Sequence, residues 1–113
     1  MLTPALAEYW GVEALGPIRG KSPHAEALLA EPEWWEGLEN VVKFIGTTAG
    51  QWESLYDDIV AWDKKVGERS RVRKELRVGH REIHDAPLFD FDAGRKPAGS
   101  SEAACSWIKA AFS

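Results

Sequence analysis

The hydrophobic positions along this chain recur mostly at spacings of three and four, as on helices with one buried face. Thr3 before Pro4 pairs a capping residue with proline at the first helical position and predicts a short helix to about Trp10. Ser22-Pro23 repeats that signature and predicts a second helix through Leu28 and Leu29. Pro32 opens a third, in which Trp34, Leu38, Val41, Val42 and Ile45 follow one another until Gly46. Thr48 and Gln51 have the spacing of a capping box. Trp52, Leu55, Tyr56, Ile59, Trp62 and Val66 then line one face of a fourth helix ending at Gly67, with Glu53, Asp57, Asp58 and Asp63 on its wet side.

Residues 70–84 read two ways. Val72, Leu76, Gly79 and Ile83 share a helical face, and Arg, Lys, Glu and Leu are good helix formers. The same stretch alternates as a half-buried strand does, with Gly79-His80 able to turn a hairpin. The helix is the favoured reading. Leu88-Phe89-Asp90-Phe91 after Pro87 reads as extended. A last helix opens near Ser100 or Ser101 and is expected to bury Ala104, Trp107, Ile108 and Ala111. The resulting expectation is an all-α fold: one domain over 1–113, with five or six short helices around the amphipathic 49–66 helix and room for a small β-hairpin in 70–91.

Composition narrows the classes. The chain has 113 residues, 44% of them apolar and 28% charged, which suits a single packed domain and is too short for a doubly wound or (β/α) barrel enzyme. One cysteine, Cys105, excludes an internal disulfide and a Cys-rich zinc module. Met1-Leu2-Thr3-Pro4 lacks the basic and apolar regions of a secretory signal, and a reducing cytoplasm is the expected setting. Residues 11–22 and 93–101 read as connectors, and the sequence has no internal repeat.

Charge changes the picture more. Residues 1–63 carry a net −8, residues 64–82 a net +5, and residues 83–113 a net −1. The basic segment comprises Lys64, Lys65, Arg69, Arg71, Arg73, Lys74, Arg77 and Arg81. Such density can contact phosphates, and a helix ending at Gly67 before a basic helix has the outline of a helix-turn-helix. Trp62 and Asp63 stand where that motif wants small residues. The plainer explanation is a solvated face pairing with the acidic first half, and the net charge of −4 opposes nonspecific nucleic-acid binding.

Six tryptophans are many for this length. Trp52, Trp62 and Trp107 are expected in the core. Trp34 and Trp35 are adjacent, so on a helix they point about 100° apart; either one of them projects, flanked by Glu31, Glu33 and Glu36, or both lie in a Trp-rich core. An exposed tryptophan amid charge is the composition of a protein-binding hot spot.

Catalytic patterns are weak. His80 and His84 are four apart, a spacing that on a helix could hold a metal with Asp85, Asp90 or Asp92, yet two surface histidines are the commoner case. Asp90-Phe91-Asp92 lacks the glycine and glutamate of a calcium loop, and Gly94–Ser101 lacks the lysine of a phosphate loop. Cys105 among alanines reads as a small buried thiol. No cofactor or metal is expected.

These readings converge on a non-catalytic protein-binding module, an adaptor or inhibitor of the kind by which phages and mobile elements block host machinery. Its contact face would combine Trp34 or Trp35 with the basic residues from Lys64 to Arg81, against another protein with an acidic surface and away from any membrane. A nucleic-acid-binding regulator using 64–82 is the alternative, and a metal- or thiol-dependent enzyme the third.

Overall fold

A computed structural model describes residues 3–113; Met1 and Leu2, the start of the chain's expected non-signal segment, lie outside the described residues. Helix α1 spans Pro4–Leu15, capped by Thr3, whose Oγ1 accepts the Leu6 N–H at 3.2 Å. It runs five residues further than the expected stop at Trp10. Short 3₁₀ turns follow at Gly16–Ile18, Ala27–Leu29, Pro32–Trp35 and Leu38–Asn40. Strand β1 is Phe44–Gly50, helix α2 Tyr56–Arg69, strand β2 Arg73–Gly79, helix α3 Ala86–Asp92 and helix α4 Gly99–Ala111.

The fold is therefore mixed α/β, and the all-α expectation is overturned by a two-stranded parallel sheet. Phe44 pairs with Arg73, Thr47 with Leu76 and Gly50 with Gly79. The segment 70–84 holds a strand, but one joined through α2 to a parallel neighbour rather than folded back as a hairpin. The expected third helix dissolves into 3₁₀ turns and β1, because Gly37 takes a left-handed φ of 75° and the uncharged run from Phe44 pairs in a sheet. The expected fourth helix begins only at Tyr56, since Thr48 lies in β1 and the Gln51 N–H is taken by the Gly79 carbonyl at 3.0 Å. Ser22-Pro23 opens turns rather than a helix, and Leu88–Phe91 is helical rather than extended. The last helix forms where expected.

The sheet is sandwiched. Lys74 meets Gly67 and Asp63 of α2, so Ile45, Thr47 and Ala49 with Lys74, Leu76 and Val78 face α2. Trp107 of α4 lies on Gly46 and donates its indole N–H to Glu75 at 3.1 Å, so the alternate residues face α4. Helices on both faces are the usual cover for parallel strands. The core is small. Among the described residues, Ala30, Ala49, Val66, Val72 and Ala103 are its buried apolar residues, and Val66 is the one large side chain fully enclosed. The radius of gyration is 15.8 Å, against about 13 Å for a compact chain of this length. No helix among the described residues is long and apolar enough to cross a membrane.

Candidate functional site

Two features stand out, both built on the β1–α2–β2 unit. The first is the outer edge of β1. Outside its ladder with β2, the only backbone group of Phe44–Gly50 with a main-chain partner among the described residues is the Gly50 carbonyl, which accepts from Glu53 N at 3.1 Å. β1 carries no charge, whereas β2 carries Arg73, Lys74, Glu75 and Arg77. An open groove of about 580 Å³ borders β1 on the α2 face, lined by Ala27, Leu28, Leu29, Thr47, Ile59 and Trp62, with Glu26 and Asp58 its only charged residues. A second, of about 350 Å³, borders it on the α4 face between Phe44, Gly46, Trp107, Ile108 and Phe112. Lys65 fixes the wall of the first groove by donating to the carbonyls of Leu28 at 2.6 Å and Ala30 at 2.9 Å.

The second feature is a cavity of about 180 Å³ where the C-terminal ends of both strands meet α3 and the start of α4. Thr48, Glu53, Glu82, His84 and Ser100 line it together with Ile59, Ile83 and Leu88. The chain crosses closely here: a Cβ on Gly50 would stand 2.6 Å from the Glu82 carbonyl oxygen. The Glu82 carboxylate caps α4 by accepting the Ser100 N–H at 3.1 Å. The Glu53 side chain is only 5% exposed; its Oε2 lies 3.3 Å from His84 Nδ1, and its Oε1 has no hydrogen-bond partner. Ser100 Oγ, on a residue 2% exposed, also has none. Arg81 and Asp85, on either side of Glu82–His84, hold left-handed φ angles of 57° and 61°. Glu53, His84 and Ser100 are the residue types of a nucleophilic triad, but the Ser–His hydrogen bond that would activate Ser100 is not formed.

The residues singled out in the sequence are scattered rather than gathered. Trp34 projects, 52% exposed and tilted on His24 with ring centroids 5.1 Å apart. Trp35 is half-buried, edge-on to Trp62 at 5.7 Å. Trp52, expected in the core, is 56% exposed because it precedes α2; Arg81 sits over its ring at 5.9 Å. Ile108 and Ala111, expected buried, are exposed; on α4 the buried residues are Ser100, Ser101 and Ala103. Cys105 is exposed too.

The basic segment divides between elements. Lys64, Lys65 and Arg69 are on α2, Arg71 is in the following connection, Arg73, Lys74 and Arg77 are on β2, and Arg81 lies beyond it. Arg69 pairs with Glu33 at 3.0 Å and with Glu36 at 3.6 Å, as the pairing explanation expects. Lys74 turns inward to Asp63, which is buried rather than on the wet side of its helix. Arg73 stacks on Phe44 at 5.0 Å, and Arg77 lies 3.9 Å from Glu75. Lys64 and Arg71 are exposed. His80 and His84 follow β2 in a turn rather than on a helix, and among the described residues no three His, Cys, Asp or Glu side chains gather as a metal site.

Comparison with known proteins finds no matching family model, no matching curated protein and no matching solved structure.

The Glu53–His84 cavity escaped the sequence reading. Its members come from β1, the connection before α2, the first turn of α2, the post-β2 turn, α3 and the start of α4, and Glu53 and His84 are 31 residues apart. The one local signal is a glutamate between Trp52 and Leu55, which helical periodicity alone places on the wet side.

Proposed function

We propose that this protein is a non-catalytic binding module that takes an extended segment of another protein as an added strand along the outer edge of β1. The observation that carries this reading is the uncharged, unpaired edge of β1 lying between two apolar grooves. An edge of unpaired amides and carbonyls is a template for a further strand, and natural proteins usually blunt such edges with charge, as β2 is blunted here. Main-chain hydrogen bonds would supply affinity. The alternate side chains of the incoming segment would enter the groove on either face and supply specificity. The only charges lining the larger groove are Glu26 and Asp58, so the segment is apolar with a basic residue facing them. This moves the contact from the basic segment, whose Lys65, Arg69 and Lys74 are engaged within the fold, to the opposite sign of partner. The single thiol fits work in a reducing compartment.

Selection from a displayed library of random linear peptides tests the reading. Peptides with apolar residues at alternate positions and a Lys or Arg should emerge. Leu29→Glu and Ile108→Glu, at exposed positions in the two grooves, should each weaken them by at least roughly tenfold, because each places an unpaired charge in a desolvated contact. Binding insensitive to both, or binding of duplex or single-stranded nucleic acid lost in Arg71→Glu and Arg77→Glu, would overturn it.

A further inference from the structure

We infer that the cavity at the C-terminal ends of β1 and β2 is a binding site for an alkyl ammonium group, a site separate from the β1 edge and independent of that reading. Its interior presents acceptors that the fold does not satisfy. Glu53 is 5% exposed with Oε1 unpartnered, and Ser100 Oγ is buried without a partner. Nearly all buried polar atoms in folded proteins find a hydrogen bond, with protein or with water, so two orphans lining one cavity are open to a donor from outside the chain, water or a ligand that displaces it.

The charge of that donor follows from its surroundings. Glu53 and Glu82 line the cavity, and Asp85 lies at its wall beside His84, 3.5 Å from Nε2. Three of the six polar residues that line it, Glu53, Glu82 and Asp85, are carboxylates that an anion would have to face, beside Thr48, His84 and Ser100. A metal ion would want three or more ligands held together, and among the described residues no such group exists. A cation that donates hydrogen bonds satisfies Glu53 Oε1 and Ser100 Oγ together. Ile59, Ile83, Pro87 and Leu88 complete the wall and suit an aliphatic stem. The volume of about 180 Å³ equals that of about six liquid water molecules, enough for a short chain and too small for a nucleotide or a folded partner. Open parallel sheets commonly place ligands beyond the C-terminal ends of their strands, where this cavity lies. The left-handed φ angles at Arg81 and Asp85 show that the turn carrying Glu82 and His84 is held in an uncommon shape around it.

The ammonium could belong to a free small amine or to a lysine side chain of a partner, and the test separates them. The full chain, labelled with ¹⁵N, is titrated with n-butylammonium, with Nα-acetyl-lysine amide, with acetate and with zinc chloride. Saturable shifts at Glu53, His84 and Ser100 with butylammonium alone indicate a small amine. The same shifts with both amines indicate a lysine side chain. Glu53→Gln should weaken binding at least roughly tenfold, since it removes a charge-assisted hydrogen bond. If that variant does not fold, Leu88→Trp, at an exposed position on the cavity wall, should block binding in its place. Saturation by acetate, tight binding of zinc, or no saturable response to either amine would overturn the assignment.

Discussion

Lys74 lies in the most basic stretch of the chain, yet its ammonium points under α2, 2.5 Å from the Asp63 carboxylate. The two side chains are 25% and 10% exposed, so the pair is largely withdrawn from water and screened little by salt. Removing one partner from such a pair leaves an uncompensated charge. Lys74→Met should therefore cost about 3 kcal/mol in a denaturant melt. Replacing both, as Asp63→Leu with Lys74→Met, should recover most of that loss. Glu39 illustrates an exposed carboxylate. Its own backbone N–H, then the Ser70 hydroxyl at 2.9 Å and the Arg71 N–H, hold its carboxyl below the usual range. A depressed pKa contributes stability above the ordinary glutamate range and loses it as pH falls through the folded value. Protection of the Arg71 amide, relative to its intrinsic exchange rate at each pH, should accordingly fall only once the pH drops below that range, and Glu39→Gln should abolish the dependence.

At the scale of elements, α4 is held to the sheet by Trp107 seated on Gly46, with Phe44 edge-on to the same indole at 5.9 Å. Gly46→Val would put a side chain inside that ring. The variant should lose α4 packing, read as a fall in near-ultraviolet tryptophan dichroism, with β1 and α2 retained. The helices α1, α2 and α4 were legible in the sequence because each repeats apolar residues every three or four positions or begins with a recognisable cap. The strands were less so. β1 is covered by α2 on one face and α4 on the other, so Phe44 to Ala49 shows no polar alternation, and Ile45 falls by accident in step with Trp34, Leu38 and Val41. β2 does alternate, but its charged residues favour a helix when judged locally, and only its pairing with β1 decides the matter. The same holds for the cavity. Glu53 can be read as a buried acceptor only once the β1–α2–β2 crossover has brought it beside His84.

The whole molecule buries little. Trp10, Trp34, Trp52, Phe91 and Phe112 are each more than half exposed, and the extents of 42 × 37 × 19 Å describe a flat body. A surface with this much apolar area is the usual mark of an interaction face. Among the described residues, β1 alone combines apolar grooves with a backbone edge that has no main-chain partner. The most direct test of that claim is amide hydrogen exchange over Phe44–Gly50, measured with and without a peptide selected against the protein. The amides of β1 that do not bond to β2 should exchange fast in the unbound protein and become strongly protected in the complex, while β2 changes little. Protection confined to β2, α3 or the Pro32–Trp35 turn, with β1 unchanged, would contradict strand addition at β1.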